Sequence, residues 1–129
     1  MKDKRKYCRL PLEINGSLAF EDGTAFQGMT KNISFGGLFF MPSELLRMEV
    51  DQLCEITLQL GRDLKSEKIV VSGRIVYQTV DGVGVEFQRI AIDSYVHLKR
   101  LLVFNSEDSD SLLKEIRANP GILPEDPGL

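Results

Sequence analysis

A chain of 129 residues, 43% of them apolar, suffices for one domain with a modest core. Its net charge of −3 argues against general nucleic-acid binding, which needs a basic face. Two isolated cysteines, Cys8 and Cys54, and a single histidine are too few ligands for a zinc site.

The same counts bear on compartment. Two cysteines outside any C-x-x-C pair read as buried thiols in a reducing cytosol, with a disulfide left open. No apolar run approaches the roughly 20 residues of a membrane span. The charged N-terminus has no apolar stretch of the signal-peptide kind. The expectation is a soluble, cytoplasmic protein.

Residues 1–9 are a basic, flexible lead-in, with Lys2, Lys4, Arg5, Lys6 and Arg9 set against an acidic C-terminal stretch. Leu10, Leu12 and Ile14 alternate with Pro11 and Glu13 and predict a first strand. Leu18 and Phe20 continue it, across a bulge at Asn15-Gly16. Asp22-Gly23 is a hairpin signal, and Phe26 to Ile33 is the returning strand. After a polar corner, Leu38 to Met41 makes the next strand, and Pro42 to Glu49 an irregular connection or single helical turn. Cys54 to Leu60 alternates cleanly, as a sheet with one wet face should. Ile69, Val71, Gly73, Ile75 and Tyr77 form a long period-2 run, with Gly73 marking a bend. Asp81-Gly82 turns the chain into a last strand at Val83, Val85 and Phe87.

The period then changes from 2 to 3.6. Ile92, Tyr95, Val96, Leu98, Leu101 and Leu102 predict a helix of about three turns, with Asp93 as its cap. Residues 105–129 read as an acidic linker, a short helix at Leu112, Leu113 and Ile116, and a flexible tail rich in Pro and Gly. Six or so short strands with tight turns, then helices, predict a mainly β fold: a small antiparallel barrel, closed or nearly so, with a C-terminal helix over an opening. Residues 10–104 make that unit.

One corner draws the attention, Thr30-Lys31-Asn32-Ile33-Ser34-Phe35-Gly36-Gly37-Leu38-Phe39-Phe40. Asn32 and Ser34 are two apart, so in extended backbone they point the same way. Gly36 and Gly37 permit positive φ and the close approach of a backbone or a ligand. The same residues also make an ordinary hairpin corner, in which Asn and Ser bond their own backbone. A second stretch, Arg5-Lys6-Tyr7-Cys8-Arg9, sets two arginines four apart. Their planar donor forks suit phosphate and the O6/N7 edge of guanine, and stack on bases.

Together, Arg5-x-x-x-Arg9 and Asn32-x-Ser34-x-x-Gly37 resemble the PilZ family of cyclic di-GMP receptors, which carries R-x-x-x-R and then [D/N]-x-S-x-x-G in that order. The resemblance runs on through Gly73-Arg74-Ile75-Val76-Tyr77, Gly82-Val83-Gly84-Val85-Glu86-Phe87 and the helix to Leu102, covering about residues 4 to 104. Asn32 stands where the family often has Asp, which leaves the site neutral there. The resemblance implies a six-stranded PilZ-like barrel and a site for cyclic di-GMP made by Arg5, Arg9, Asn32, Ser34, Gly36 and Gly37, with Lys4 as a further source of charge. It implies no cofactor and no enzyme activity. The lead-in would fold over the barrel when the dianionic ligand binds, and a downstream protein partner would read the change. Family members that have lost the nucleotide act as protein adaptors, which is the alternative reading here. Monomer and homodimer are both open.

Enzyme readings find little support. Ser34 has only His97 as an imidazole partner, and nothing in the pattern links them. Asp81 with Glu86, and Glu107 with Asp108, lie in turns or a solvated run. Gly82-Val83-Gly84 leads into a strand, not the helix of a dinucleotide fingerprint. A stacking nucleic-acid binder would use Tyr7 and Tyr77, but most Phe residues alternate inward and there is no Trp.

Overall fold

The computed structural model describes residues 10–44, 48–60 and 68–106, together with residues 110, 114, 124 and 125. Six strands follow in order: β1 (Asn15–Ala19), β2 (Ala25–Ile33), β3 (Gly37–Pro42), β4 (Leu53–Gln59), β5 (Lys68–Gln78) and β6 (Val83–Ala91). They lie side by side as β3-β2-β1-β4-β5-β6, and β3 pairs back onto β6, which closes an antiparallel barrel. Closure leaves neither β3 nor β6 as a bare edge between the two. The helix α1 (Ile92–Asn105) follows β6 without a break.

Alternation fills the barrel. Ile56 and Leu58 of β4, Ile69 and Ile75 of β5, Leu38 and Phe40 of β3, Leu18 of β1 and Ile33 of β2 are fully buried in one cluster. Leu98 and Leu102 of α1 join that cluster, so the helix caps the core. Val70 donates its N–H to Ser94 Oγ at 2.9 Å, tying the first turn of α1 to β5. Gly73 sits at a register shift between β5 and β6, as a bend there requires. A Cβ at that position would come within 2.7 Å of Val85 Cγ1.

Several details differ from the sequence reading. The first strand begins at Asn15, not Leu10. Leu10 makes only an isolated antiparallel bridge with Ile33. Pro11 has no N–H to extend it. The buried Thr30 side chain takes over instead, donating to Leu12 O at 2.6 Å and accepting from Ile14 N at 2.9 Å. Asn15 and Gly16 pair regularly with Met29 and Gly28, and the irregularity falls on β2, between Thr30 and Asn32. Asp93 does not cap α1: the N-cap is Ala91, without a side-chain hydrogen bond, and Asp93 stands in the first turn, where a carboxylate still suits the helix dipole. The helix runs 14 residues, longer than expected. At the far end, Pro124–Glu125 forms a short strand, β7, parallel to Ile90–Ala91 of β6, where a tail without structure was expected. Leu112, Leu113 and Ile116 of the expected second helix lie outside the described residues, as does Cys8.

Cys54 is a free, buried thiol on β4. Burial pushes its pKa up to about 11. At pH 8 it is therefore expected to resist alkylation in the folded protein and to react fast in denaturant. Rapid modification of the folded chain at Cys54, mapped by peptide mass, would contradict this. The sign for stability follows from the raised value. The folded thiol keeps a proton that the unfolded thiol gives up first, so this contribution is intact below the unfolded pKa and fades as pH climbs toward about 11.

Candidate functional site

The corner between β2 and β3 is built by its own side chains. Ser34 closes the turn: its N–H donates to Gly37 O at 2.8 Å, and its Oγ accepts from Gly36 N at 3.1 Å and Gly37 N at 3.2 Å. Gly36 O accepts from Phe87 N at 2.9 Å, which pins the turn to β6. Phe35, buried at the tip, packs its ring 5.9 Å from that of Tyr95 on α1. The corner is therefore held by β6 and by the helix.

Asn32 and Ser34 do not share one role. Ser34 is buried and its hydroxyl is engaged within the turn, so the hairpin-corner reading holds for it. Asn32 pairs with Phe39 on the outer face of the barrel, and its Oδ1 is buried without a hydrogen bond among the described residues. A buried amide oxygen left unpaired is costly, and it is ready to accept from an arriving donor. Of the two uses expected of the glycines, the structure shows close backbone approach and not positive φ. Their N–H groups are taken by Ser34, and among the described glycines only Gly23 has a positive φ. Gly37 is needed for close approach: a Cβ there would lie 2.1 Å from Val85 O.

Arg5, Arg9 and Lys4 lie outside the described residues. The chain segment that carries them is nevertheless tied to the corner at its end. Leu10 N donates to Ile33 O at 2.8 Å, and Ile33 N donates to Leu10 O at 2.9 Å. Ile33 stands between Asn32 and Ser34, and Arg9 is one peptide from Leu10, a Cα step of about 3.8 Å.

The outer face around Asn32 carries residues that the motifs did not mark. Phe39 lies outside the core cluster, with the Tyr77 ring 6.1 Å from its own and Lys31 Nζ 5.8 Å above it. Arg74, Glu86 and Gly37 stand in one row across β5, β6 and β3. Arg74 bridges two carboxylates, Asp51 and Glu86, and the charge-assisted bonds raise its pKa, Glu86 contributing first. By distance Asp51 is its closer partner, and Asp51 adopts φ +73° in presenting its carboxylate there. The signal in the sequence was available: Arg74 and Glu86 occupy outward positions of otherwise apolar runs.

The model of the PilZ domain family matches residues 3–104. Among solved structures, the chain is similar to the PilZ domain of YcgR from Escherichia coli with c-di-GMP, at TM-score 0.63 and 12% identity, covering 92% of this chain and 98% of that one. It is similar to the PilZ domain of CeSA from a cellulose-synthesizing bacterium, at TM-score 0.59 and 20% identity, covering 74% and 94%. It is also similar to the Bacillus subtilis inhibitor of motility MotI/DgrA, at TM-score 0.59 and 16% identity, covering 76% of this chain and 49% of that one. The chain thus spans about half the length of MotI. No curated protein matches it.

Proposed function

The chain belongs to the PilZ domain family, and on that premise we propose that it is a cyclic di-GMP receptor whose basic lead-in closes on the β2–β3 corner. One observation carries the reading. The Leu10–Ile33 bridge ties the segment bearing Arg5 and Arg9 to the strand end that presents Asn32. The two guanidinium groups bring up to ten donors, at five each, for phosphates and guanine acceptors. Asn32 Oδ1 accepts from the ligand or from an incoming arginine. Ser34, Gly36 and Gly37 hold the corner in shape, and Lys4 adds charge.

Relay to a protein partner follows from the same corner. Phe35 sits between Ser34 and Gly36 in the turn and against Tyr95 in α1, so strain at the corner reaches the helix through one ring contact. A bound dianion that draws the two arginines onto the corner changes the surface there. The role is regulatory, not catalytic.

Calorimetric titration with cyclic di-GMP, with GTP and linear pGpG as controls, tests the reading. Saturable binding in the micromolar range or tighter is expected, absent for the controls. No heat, together with an unchanged melting temperature, would defeat it and leave a protein-binding adaptor. YcgR is described with c-di-GMP bound to its PilZ domain, which supports the choice of ligand.

A further inference from the structure

Resting on that receptor reading, we propose that Glu86 selects guanine: its carboxylate accepts N1–H and the 2-amino group of one base. Three observations converge on it. Glu86 points outward between Arg74 and Gly37, so on its β3 side it faces the bare backbone of Gly37, beside the turn that Ser34 closes. Asn32 opposes Phe39 and Glu86 opposes Gly37, so the two lie two strands and two residues apart, a diagonal of about 12 Å with room for a purine between them. The glutamate is also available. Its side chain is 53% exposed, and among the described residues Arg74 Nη2 holds it through Oε1 alone, at 3.3 Å. Asp51 grips the other guanidinium nitrogen at closer range, so Glu86 can turn to a ligand without releasing Arg74.

The chemistry then names the base. Glu86 and Asn32 Oδ1 offer acceptors. The Watson–Crick edge of guanine offers two adjacent donors, N1–H and N2–H. Adenine offers an acceptor at N1 and meets a carboxylate with repulsion. Hypoxanthine keeps N1–H and lacks the 2-amino group. Arg74 offsets the charge that Glu86 would otherwise set against the ligand phosphates.

Calorimetry on wild type and Glu86→Gln, each with cyclic di-GMP, cyclic di-IMP and cyclic di-AMP, decides the matter. Wild type is expected to prefer cyclic di-GMP over cyclic di-IMP by about tenfold, the value of one hydrogen bond to a charged group. Glu86→Gln should narrow that ratio to within about threefold, since a neutral amide cannot accept both donors. An unchanged ratio in Glu86→Gln would overturn the role of Glu86 while the receptor reading stands. Failure of wild type to bind any of the three would overturn the receptor reading itself, and this assignment with it.

Discussion

Replacing Arg5 and Arg9 together by alanine is expected to weaken cyclic di-GMP binding by at least about a hundredfold, each lost charge-assisted contact being worth roughly 1.5–3 kcal/mol. The wild-type affinity has to be measured at the same salt, because part of the attraction is screened. The effect is local if the receptor reading is right. The hydrogen bonds that fasten the lead-in use backbone atoms of Leu10 and Ile33, which neither substitution touches. The thermal transition of the free protein should therefore stay close to that of wild type. Calorimetry paired with a circular dichroism melt checks both halves. A double variant that binds like wild type would remove the arginines from the site. One that melts far lower would show that they serve the fold instead.

Gly37→Ala is expected to be strongly damaging, at about 3 kcal/mol, the upper end for overpacking. The new methyl would stand 2.1 Å from Val85 O and 3.2 Å from Val85 C, both backbone atoms that cannot rotate away. The clash falls on the β3–β6 seam, the pairing that closes the barrel. It also falls beside the corner that Ser34 organises, so binding should weaken along with stability. Gly23→Ala is the control. Gly23 has φ +92° and open space around its Cβ direction, so only the left-handed conformation is penalised, at about 1–2 kcal/mol. Urea denaturation midpoints should fall in the order wild type, Gly23→Ala, Gly37→Ala. If Gly37→Ala is as stable as Gly23→Ala, the tight β3–β6 approach is wrong.

Much of the barrel was legible because alternation is a local property. Cys54 to Gln59 shows its two faces in the sequence, and the structure buries Cys54, Ile56 and Leu58 as that pattern says. The switch from period 2 to period 3.6 after Phe87 likewise announced α1, although β6 runs on to Ala91. The misread places are those where a partner distant in sequence decides. Leu10 to Ile14 looked like a strand, but Pro11 blocks the ladder and Thr30, 18 residues from Leu12, supplies the bonds. Asp93 looked like a cap, but the helix begins directly from β6, so the N-cap position falls on Ala91.

The site divides along the same line. Two spaced motifs, Arg5-x-x-x-Arg9 and Asn32-x-Ser34-x-x-Gly37, marked where a ligand is expected; their donor forks and short polar groups suit phosphate and guanine, and the resemblance to the PilZ family named the ligand. Spacing could not separate Asn32 from Ser34. That took the turn itself, in which Ser34 Oγ is engaged by Gly36 and Gly37 while Asn32 Oδ1 is left buried and unbonded among the described residues. Nor could spacing join Arg74, Glu86 and Gly37, which come from separate stretches of the chain, or bring Asp51 from the turn before β4 onto Arg74. Strand register alone sets Arg74, Glu86 and Gly37 in one row. Periodicity and residue chemistry are written in the chain itself; the first determined the fold class, and the second underlies the ligand proposed for it. Register and burial exist only once β3 has met β6, so closure of the barrel decided which polar groups are spent on the fold and which remain for a ligand.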